Sequence, residues 1–279
     1  NESDGVGMDT WGMVNVPLVE DRLALRIAAG YLDDPGFIDY NFVVREPGVS
    51  NPNAPFDGSG DDVGANLRRV QDVDDEQTVS ARVGLQWLAT DALTANLTYY
   101  YQDQSVGGRT VNHDRAVGSG RYVSASRFLE PNDITNHLVA LEITWDLGFA
   151  ELTSATGWSQ FESFGRRDQT DFLMDLDYYY EDFPQFAAYA TDDLEEDTFS
   201  QELRLVSQGT DRWNWIAGAF YNKFDGRTIS SEYTPGYPQW AFGAPADFPD
   251  LEYRADAERT FEEKALFGEP GMPAPAGGW

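Results

Sequence analysis

The stretch Gln77-Thr78-Val79-Ser80-Ala81-Arg82-Val83-Gly84-Leu85-Gln86-Trp87-Leu88-Ala89, broken by Thr90-Asp91 and resumed as Ala92-Leu93-Thr94-Ala95-Asn96-Leu97-Thr98-Tyr99-Tyr100-Tyr101-Gln102, decides the fold. Val79, Ala81, Val83, Leu85 and Trp87 share one parity, and Ser80, Arg82, Gly84 and Gln86 share the other. Past the break, Leu93, Ala95, Leu97, Tyr99 and Tyr101 oppose Thr94, Asn96, Thr98, Tyr100 and Gln102. A period of two marks a strand with unlike faces, and two such runs joined by a short polar break make a hairpin.

Working outward, the same pattern recurs. Leu23, Leu25, Ile27, Ala29 and Tyr31 stand against Arg22, Ala24, Arg26, Ala28 and Gly30. Val139, Leu141, Ile143, Trp145 and Leu147 stand against Asn136, Ala140, Glu142, Thr144 and Asp146; Phe199, Leu203 and Leu205 stand against Ser200, Glu202 and Arg204. Thr10 to Val19, Phe149 to Phe161, Trp213 to Phe224 and Arg259 to Glu269 are less regular examples. The reading gives about nine strands, each near the roughly 9–11 residues that a tilted strand needs to cross a bilayer.

The connections carry more information than the strands. Glu20-Asp21, Thr90-Asp91, Gly148 and Gln208 to Arg212 are short, polar turns. Between them lie long polar stretches, Asp33 to Glu76, Asp103 to Ile134, Glu162 to Glu196 and Asp225 to Glu258, so short and long alternate strictly. Structureless connections of that length are rare inside a soluble domain. An outer-membrane barrel has tight turns on one rim and long loops on the other. The expected fold is therefore all-β, an antiparallel up-and-down transmembrane β-barrel segment of about nine strands. Trp11, Trp87, Trp145, Trp158, Trp213 and Trp215, with Tyr31 and Tyr99 to Tyr101, fall near the predicted strand ends. Indole and phenol rings favour the headgroup region, although the same rings could fill a soluble core.

Composition narrows the function classes. A net charge of −29 and no Lys/Arg cluster argue against nucleic acid as a partner. Cysteine is absent, so no disulfide, thiolate metal site or Cys nucleophile arises. No apolar run reaches the roughly 18 residues of a membrane helix, and the mean hydropathy of −0.48 is uninformative because alternation cancels in an average. No phosphate-binding glycine loop, metalloprotease helix or EF-hand spacing is present, so no cofactor is implied and no catalytic set stands out. His113 and His137 have no partner at ligand spacing. Carboxylates are so abundant that an acid/base pair could be drawn anywhere, which gives such a pair no specificity.

Several segments resemble the barrel of TonB-dependent outer-membrane receptors, particularly the large group found in alphaproteobacteria. Gly12-Met13-Val14-Asn15-Val16-Pro17-Leu18-Val19-Glu20-Asp21-Arg22-Leu23-Ala24-Leu25-Arg26 resembles an early hairpin of that barrel, followed by Gly36-Phe37-Ile38-Asp39. Phe199-Ser200-Gln201-Glu202-Leu203-Arg204-Leu205 with Trp213-Asn214-Trp215-Ile216-Ala217-Gly218 resembles a central hairpin, and Lys264-Ala265-Leu266-Phe267-Gly268-Glu269 a later strand. The resemblance spans most of the chain in the family's order. It implies a 22-stranded barrel, filled by an N-terminal plug, that imports scarce ligands such as iron–siderophore complexes. Its partners would be outer-membrane lipid, the ligand, and the TonB–ExbB–ExbD system acting through the plug. The sequence holds no plug and no TonB box, so it reads as a fragment lacking the plug and the C-terminal strands. Residues 1–269 are expected to be partial barrel, and 270–279 an irregular Pro/Gly tail.

Charges opposite apolar rows belong inside such a barrel, since an Arg facing lipid at mid-depth costs roughly 2–4 kcal/mol. Arg26, Arg82, Glu142, Glu202 and Arg204 are the expected lumen-facing residues. On the loop from Glu162, Arg166, Arg167, Tyr178, Tyr179 and Tyr180 combine aromatic surface with fixed charge and are the candidate ligand-binding residues of an outer vestibule. Asp171, Asp175 and Asp177 form a weak Ca²⁺ candidate, against which stands the simpler reading of a solvated acidic loop.

Two functions from different classes remain open: a transport receptor without chemistry of its own, or a soluble secreted β-sandwich or barrel that binds or processes carbohydrate. A small closed barrel of nine strands is disfavoured, because bacterial single-chain barrels have even strand numbers. The first reading predicts that the isolated 279-residue polypeptide, with unpaired strand edges and a lipid-facing apolar surface, aggregates in plain buffer and is dispersed by detergent. Sedimentation velocity checks this; a monodisperse monomer without detergent contradicts it.

Overall fold

The computed structural model describes residues 3, 5–49, 66–111, 122–176, 179–208 and 213–271. In chain order the strands are β1 (Met8–Val19), β2 (Leu23–Asp34), β3 (Asp39–Val44), β4 (Leu67–Val70), β5 (Glu76–Thr90), β6 (Leu93–Val106), β7 (Val123–Ser124), β8 (Asn132–Asp146), β9 (Ala150–Asp168), β10 (Tyr189–Ser207), β11 (Asn214–Tyr233) and β12 (Leu251–Gly271). Nine of them form one antiparallel sheet in the order β1-β2-β5-β6-β8-β9-β10-β11-β12. Apart from strands inserted in the long connections, each pairs with its neighbours in sequence, as in an up-and-down barrel. The sheet is not closed; β1 and β12 are its edges.

The tight turns gather on one rim. Gly148 takes φ +84°, a left-handed conformation that costs glycine nothing, and its N–H bonds the Asp146 side chain at 2.7 Å. Asp21 takes φ +53° in the β1–β2 turn, where the Arg22 amide reaches Val19 O at 3.1 Å. All four long connections leave the other rim.

Register assigns the faces. One row across the sheet reads Leu25, Leu85, Leu97, Leu141, and the next reads Leu23, Trp87, Ala95, Ile143, Ser154, Leu203, Ala219, Leu266. These side chains lie open: Leu97 is 42% exposed and Trp87 51%. Among the described residues no second sheet stacks on them. The Leu/Val/Trp rows therefore do not meet across a dry centre, and the β-sandwich alternative is not favoured. The opposite face carries the row Arg26, Gly84, Thr98, Ala140, Gly157, Ser200, Asn222, Glu263.

Aromatics border the apolar band on its own face. Trp87, Trp145 and Trp215 lie toward the tight turns, and Tyr99, Tyr101, Trp158, Phe199 and Tyr221 toward the long loops. Trp215 and Tyr221 on one strand are on the order of 20 Å apart at the usual rise per residue, close to the height of a lipid-facing band. His137 sits in the upper border, its Nδ1 2.8 Å from the Tyr99 hydroxyl.

Four expectations need correction. The strands are longer than a crossing requires, reaching 19 residues in β10, 20 in β11 and 21 in β12. Beyond the band the ladder continues through water with polar rows on both faces, such as Glu162, Glu195, Arg227 and Glu258. Much of what reads as loop in Glu162 to Glu196 and Asp225 to Glu258 is strand. For the same reason Trp158 lies mid-strand, while Trp11, opposite Gly30, lies on the charged face. Finally, the ladder runs to Gly271, with Pro270 opposite Trp215, two residues into the expected tail. The edge position of β12 is what admits a proline.

Replacing Leu97 with Arg should destabilise the vesicle-embedded barrel by about 2–4 kcal/mol, whereas Thr98→Arg, one residue along on the other face, should cost under about 1 kcal/mol. Denaturant unfolding in lipid measures both, and equal losses would contradict the face assignment.

Candidate functional site

The long connections hold the apolar core of this chain. A first cluster joins Phe42, Val44 and Leu67 from one connection to Ala125 and Phe128 from the next and Ala187 from the third. A second joins Leu173, Tyr180, Phe183, Phe186 and Ala188 to Tyr237 of the fourth. A third joins Ile38, Tyr40 and Val43 to Val73. The run Asp39-Tyr40-Asn41-Phe42-Val43-Val44 explains the start of this assembly: four of its six residues are aromatic or aliphatic, and β3 is buried on both faces between β4 and β7. The β3–β7 pairing is parallel and links two different connections.

Buried polar groups lock the clusters together. Glu130, 2% exposed, accepts from the Tyr40 hydroxyl at 2.6 Å, the Ser126 hydroxyl at 3.2 Å and the Asp168 amide at 2.9 Å. The Arg109 guanidinium stands 3.5 Å away. Several donors on one carboxylate compensate for taking its charge out of water. The Tyr40 phenol is pushed well above its ordinary pKa, first by burial and then by the Glu130 charge. Asp74 accepts from the Phe37 and Ile38 amides, each at 2.6 Å, and fixes the entry to β3. Arg127, 1% exposed, donates to Ala125 O and stands 5.8 Å from the Phe42 ring centroid. Burial lowers its pKa, opposed by Asp171 and Asp168.

The candidate vestibule residues separate. Arg166 donates to Leu129 O at 2.7 Å and lies 5.6 Å from the Tyr189 ring centroid; Arg167 pairs with Asp192 at 3.5 Å. Tyr180 is turned into the second cluster, 7% exposed, stacked on Phe186 at 4.7 Å and edge-on to Tyr237 at 4.9 Å. Tyr179 is exposed, with φ +63°; Tyr178 lies outside the described residues. Of the Ca²⁺ candidates, Asp171 projects outward 3.8 Å from Arg127, Asp175 ends the helix Thr170–Met174, and Asp177 lies outside the described residues, as does His113. No group of three possible metal ligands converges among the described residues.

Arg26, Arg82, Glu142, Glu202 and Arg204 share the face opposite the apolar rows. Arg82 lies 4.9 Å from the Tyr100 ring centroid, and Arg204 is 3.9 Å from Glu202. A hollow of about 710 Å³ on this face is lined by Trp11, Gly30, Arg82, Tyr100 and Phe161 among others. Another, of about 460 Å³, opens at the long-loop rim and brings together Arg109, Glu130, Asn132, Arg167, Asp192 and Arg259. Sequence reasoning reached Arg167 but not Arg109 or Arg259. They are far apart in the chain, Arg109 in the connection after β6 and Arg259 on β12, and join only in the folded rim.

The chain matches the outer membrane transporter YddB from Escherichia coli at a TM-score of 0.52 and 13% identity, covering 96% of this chain and 32% of that one. It matches the ferric citrate transporter FecA in its unliganded form at 0.51 and 8%, covering 96% and 36%, and the RagAB peptide transporter at 0.54 and 9%, covering 95% and 30%. The fold is that of part of an outer-membrane transporter barrel. The chain spans about a third of the length of these structures. No protein-family model matches the sequence, and no curated protein sequence matches it.

The loop core should be sensitive to alkali. Burial, and then the Glu252 charge, push the Tyr180 phenol from 10.0 up to about 12. A pKa raised in the folded state means stability that is whole below pH 10 and lost as pH rises toward 12. Near-UV circular dichroism of the loop aromatics should follow this loss, and Tyr180→Phe should shrink it. An unchanged alkaline transition in that variant would remove Tyr180 as its cause.

Proposed function

We propose that this chain forms part of the wall and outer loops of a TonB-dependent outer-membrane receptor. The receptor takes up a scarce nutrient, an iron–siderophore complex being the favoured ligand. The observation that carries the reading is a single-layer antiparallel sheet whose open apolar face is bordered by aromatics, while the other face is polar and charged. Such a sheet is stable only where lipid covers one side and water the other. Likeness in fold to transporters, one of them for ferric citrate, supports the same reading.

In this role Arg26, Arg82, Glu142, Glu202 and Arg204 face the lumen. Arg166, Arg167, Tyr178 and Tyr179 contribute to the outer vestibule, and Tyr180 holds its loop in place from the core. The chain supplies position and charge rather than bond-breaking chemistry. Energy enters from TonB–ExbB–ExbD through the plug domain of the receptor.

The test is uptake of radiolabelled ferric catecholate and ferric hydroxamate complexes by cells with and without the gene that encodes this chain. Accumulation of at least one complex should fall in the deletion strain, return on complementation, and vanish in a TonB-deficient background. Uptake indifferent to both deletions would sink the proposal.

A further inference from the structure

We infer that the hollow at the long-loop rim is a binding site for a small anion bearing two or more oxyanion groups, with Arg109, Arg167 and Arg259 as its contacts. The inference rests on the transport reading and adds the charge class of the ligand.

The local charge is inverted relative to the chain. Acids outnumber bases 48 to 19 overall, yet the lining of this hollow sets three guanidiniums, those of Arg109, Arg167 and Arg259, against the carboxylates of Glu130 and Asp192. The two carboxylates leave donor capacity in place. Glu130 is already occupied by Tyr40, Ser126 and the Asp168 amide, and its contact with Arg109 is 3.5 Å. Arg167 and Asp192 are also 3.5 Å apart, with side chains 48% and 43% exposed. Both contacts are long beside the roughly 2.7–2.9 Å of a full charge-assisted bond. Arg259 is exposed and enters no ion pair among the described residues.

Backbone register keeps the hollow open. Arg259 lies opposite Gly226 and Asp192 opposite Gly165, so neither meets a side chain directly across that strand pair, and Leu194 and Thr228 line the row between them. A Cβ on Gly165 would come within 2.5 Å of the Asn132 side-chain oxygen, to which the Ser163 hydroxyl donates at 3.0 Å. The floor is therefore uncharged, with Asn132, Ser163 and Thr228 as its polar groups and Leu194 as an apolar one. Arg166, held by Leu129 O and Tyr189, is a positioning residue of the wall. The Arg109 amide bonds the Tyr40 hydroxyl at 3.3 Å, which anchors its backbone while its side chain stays half exposed. The volume of about 460 Å³ suits a small polyanion, and guanidinium forks match carboxylate or phosphate oxygens.

The experiment is calorimetric titration of the detergent-solubilised full-length receptor with tricarballylate, pyrophosphate and, as a neutral control, maltotriose. At least one anion should bind and weaken at least tenfold between about 50 and 500 mM NaCl, because half-exposed charges are screened. Arg109→Gln and Arg259→Gln should each weaken that anion at least tenfold, while Arg22→Gln at the opposite rim leaves it unchanged. Which anion binds separates carboxylate from phosphate recognition. In the unmutated receptor the bound anion should also protect Arg109 and Arg259 from phenylglyoxal, read by mass spectrometry, so misfolding of a variant does not decide the outcome. Failure of both anions to bind, or binding and protection that ignore these arginines, overturns the inference. TonB-dependent uptake persisting beside that result would leave the transport reading standing; anion binding without any such uptake would sink the transport reading alone.

Discussion

Inside hydrocarbon no water is available to an amide, so every N–H and C=O of a crossing segment must find its partner in the chain beside it. An antiparallel ladder between sequence neighbours meets that demand with the shortest connections. The nine paired strands express it, with turns as tight as Gly148 on one rim. The same constraint makes β1 and β12 incomplete in lipid, since each has one paired side only. It also separates the two faces. A side chain that leaves the ladder sideways enters either lipid or water, which is why Leu97 and Thr98 differ so sharply although they are adjacent.

The distribution of charge follows. Acidic residues crowd the ends of β9 to β12 and the connections, where water solvates them on both sides, and cross-strand pairs such as Arg227 with Asp256 at 2.6 Å temper the repulsion. Exposed pairs of this kind contribute little to stability. Their importance lies in solubility above the membrane surface and in the field a ligand meets on approach. Against that acidic background a few arginines gathered at the rim stand out more than they would in a neutral protein.

Legibility in the sequence tracked the contrast between faces. Where lipid meets one side and water the other, as in Leu93 to Tyr101 or Val139 to Trp145, alternation is clean and the strands are readable. Where β10 and β11 rise into water, Thr191 to Asp197 and Asp225 to Ser231 are polar on both faces apart from Leu194 and Ile229, so the period of two vanishes although the ladder continues. Those residues read as loop. The insertion strands failed for the opposite reason: Tyr40 to Val44, Asn41 included, is buried on both faces, and a short run with no exposed face shows no contrast of period two either. Of the candidate site, charge on Arg166 and Arg167 was visible locally. The inward turn of Tyr180 and the meeting of Arg109 with Arg259 depend on tertiary packing and had no local signal.

Packing in the connections changes what kind of vestibule this is. Loops of this length invite the picture of mobile strings that fold around a ligand, with an ordering cost of roughly 1–2 kcal/mol for each residue fixed. Here β3, β4 and β7 share a sheet, Glu130 ties Tyr40 to Asp168, and Tyr180, Phe186 and Tyr237 pack as a unit. Among the described residues much of that ordering is therefore already made by packing. A pre-packed rim costs less to occupy and discriminates by shape and charge. Arg127 makes the point: a guanidinium only 1% exposed, donating to Ala125 O beside the Phe42 ring and 3.8 Å from Asp171, cannot be released without breaking these contacts together. Movement of these loops must then proceed by packed units rather than residue by residue.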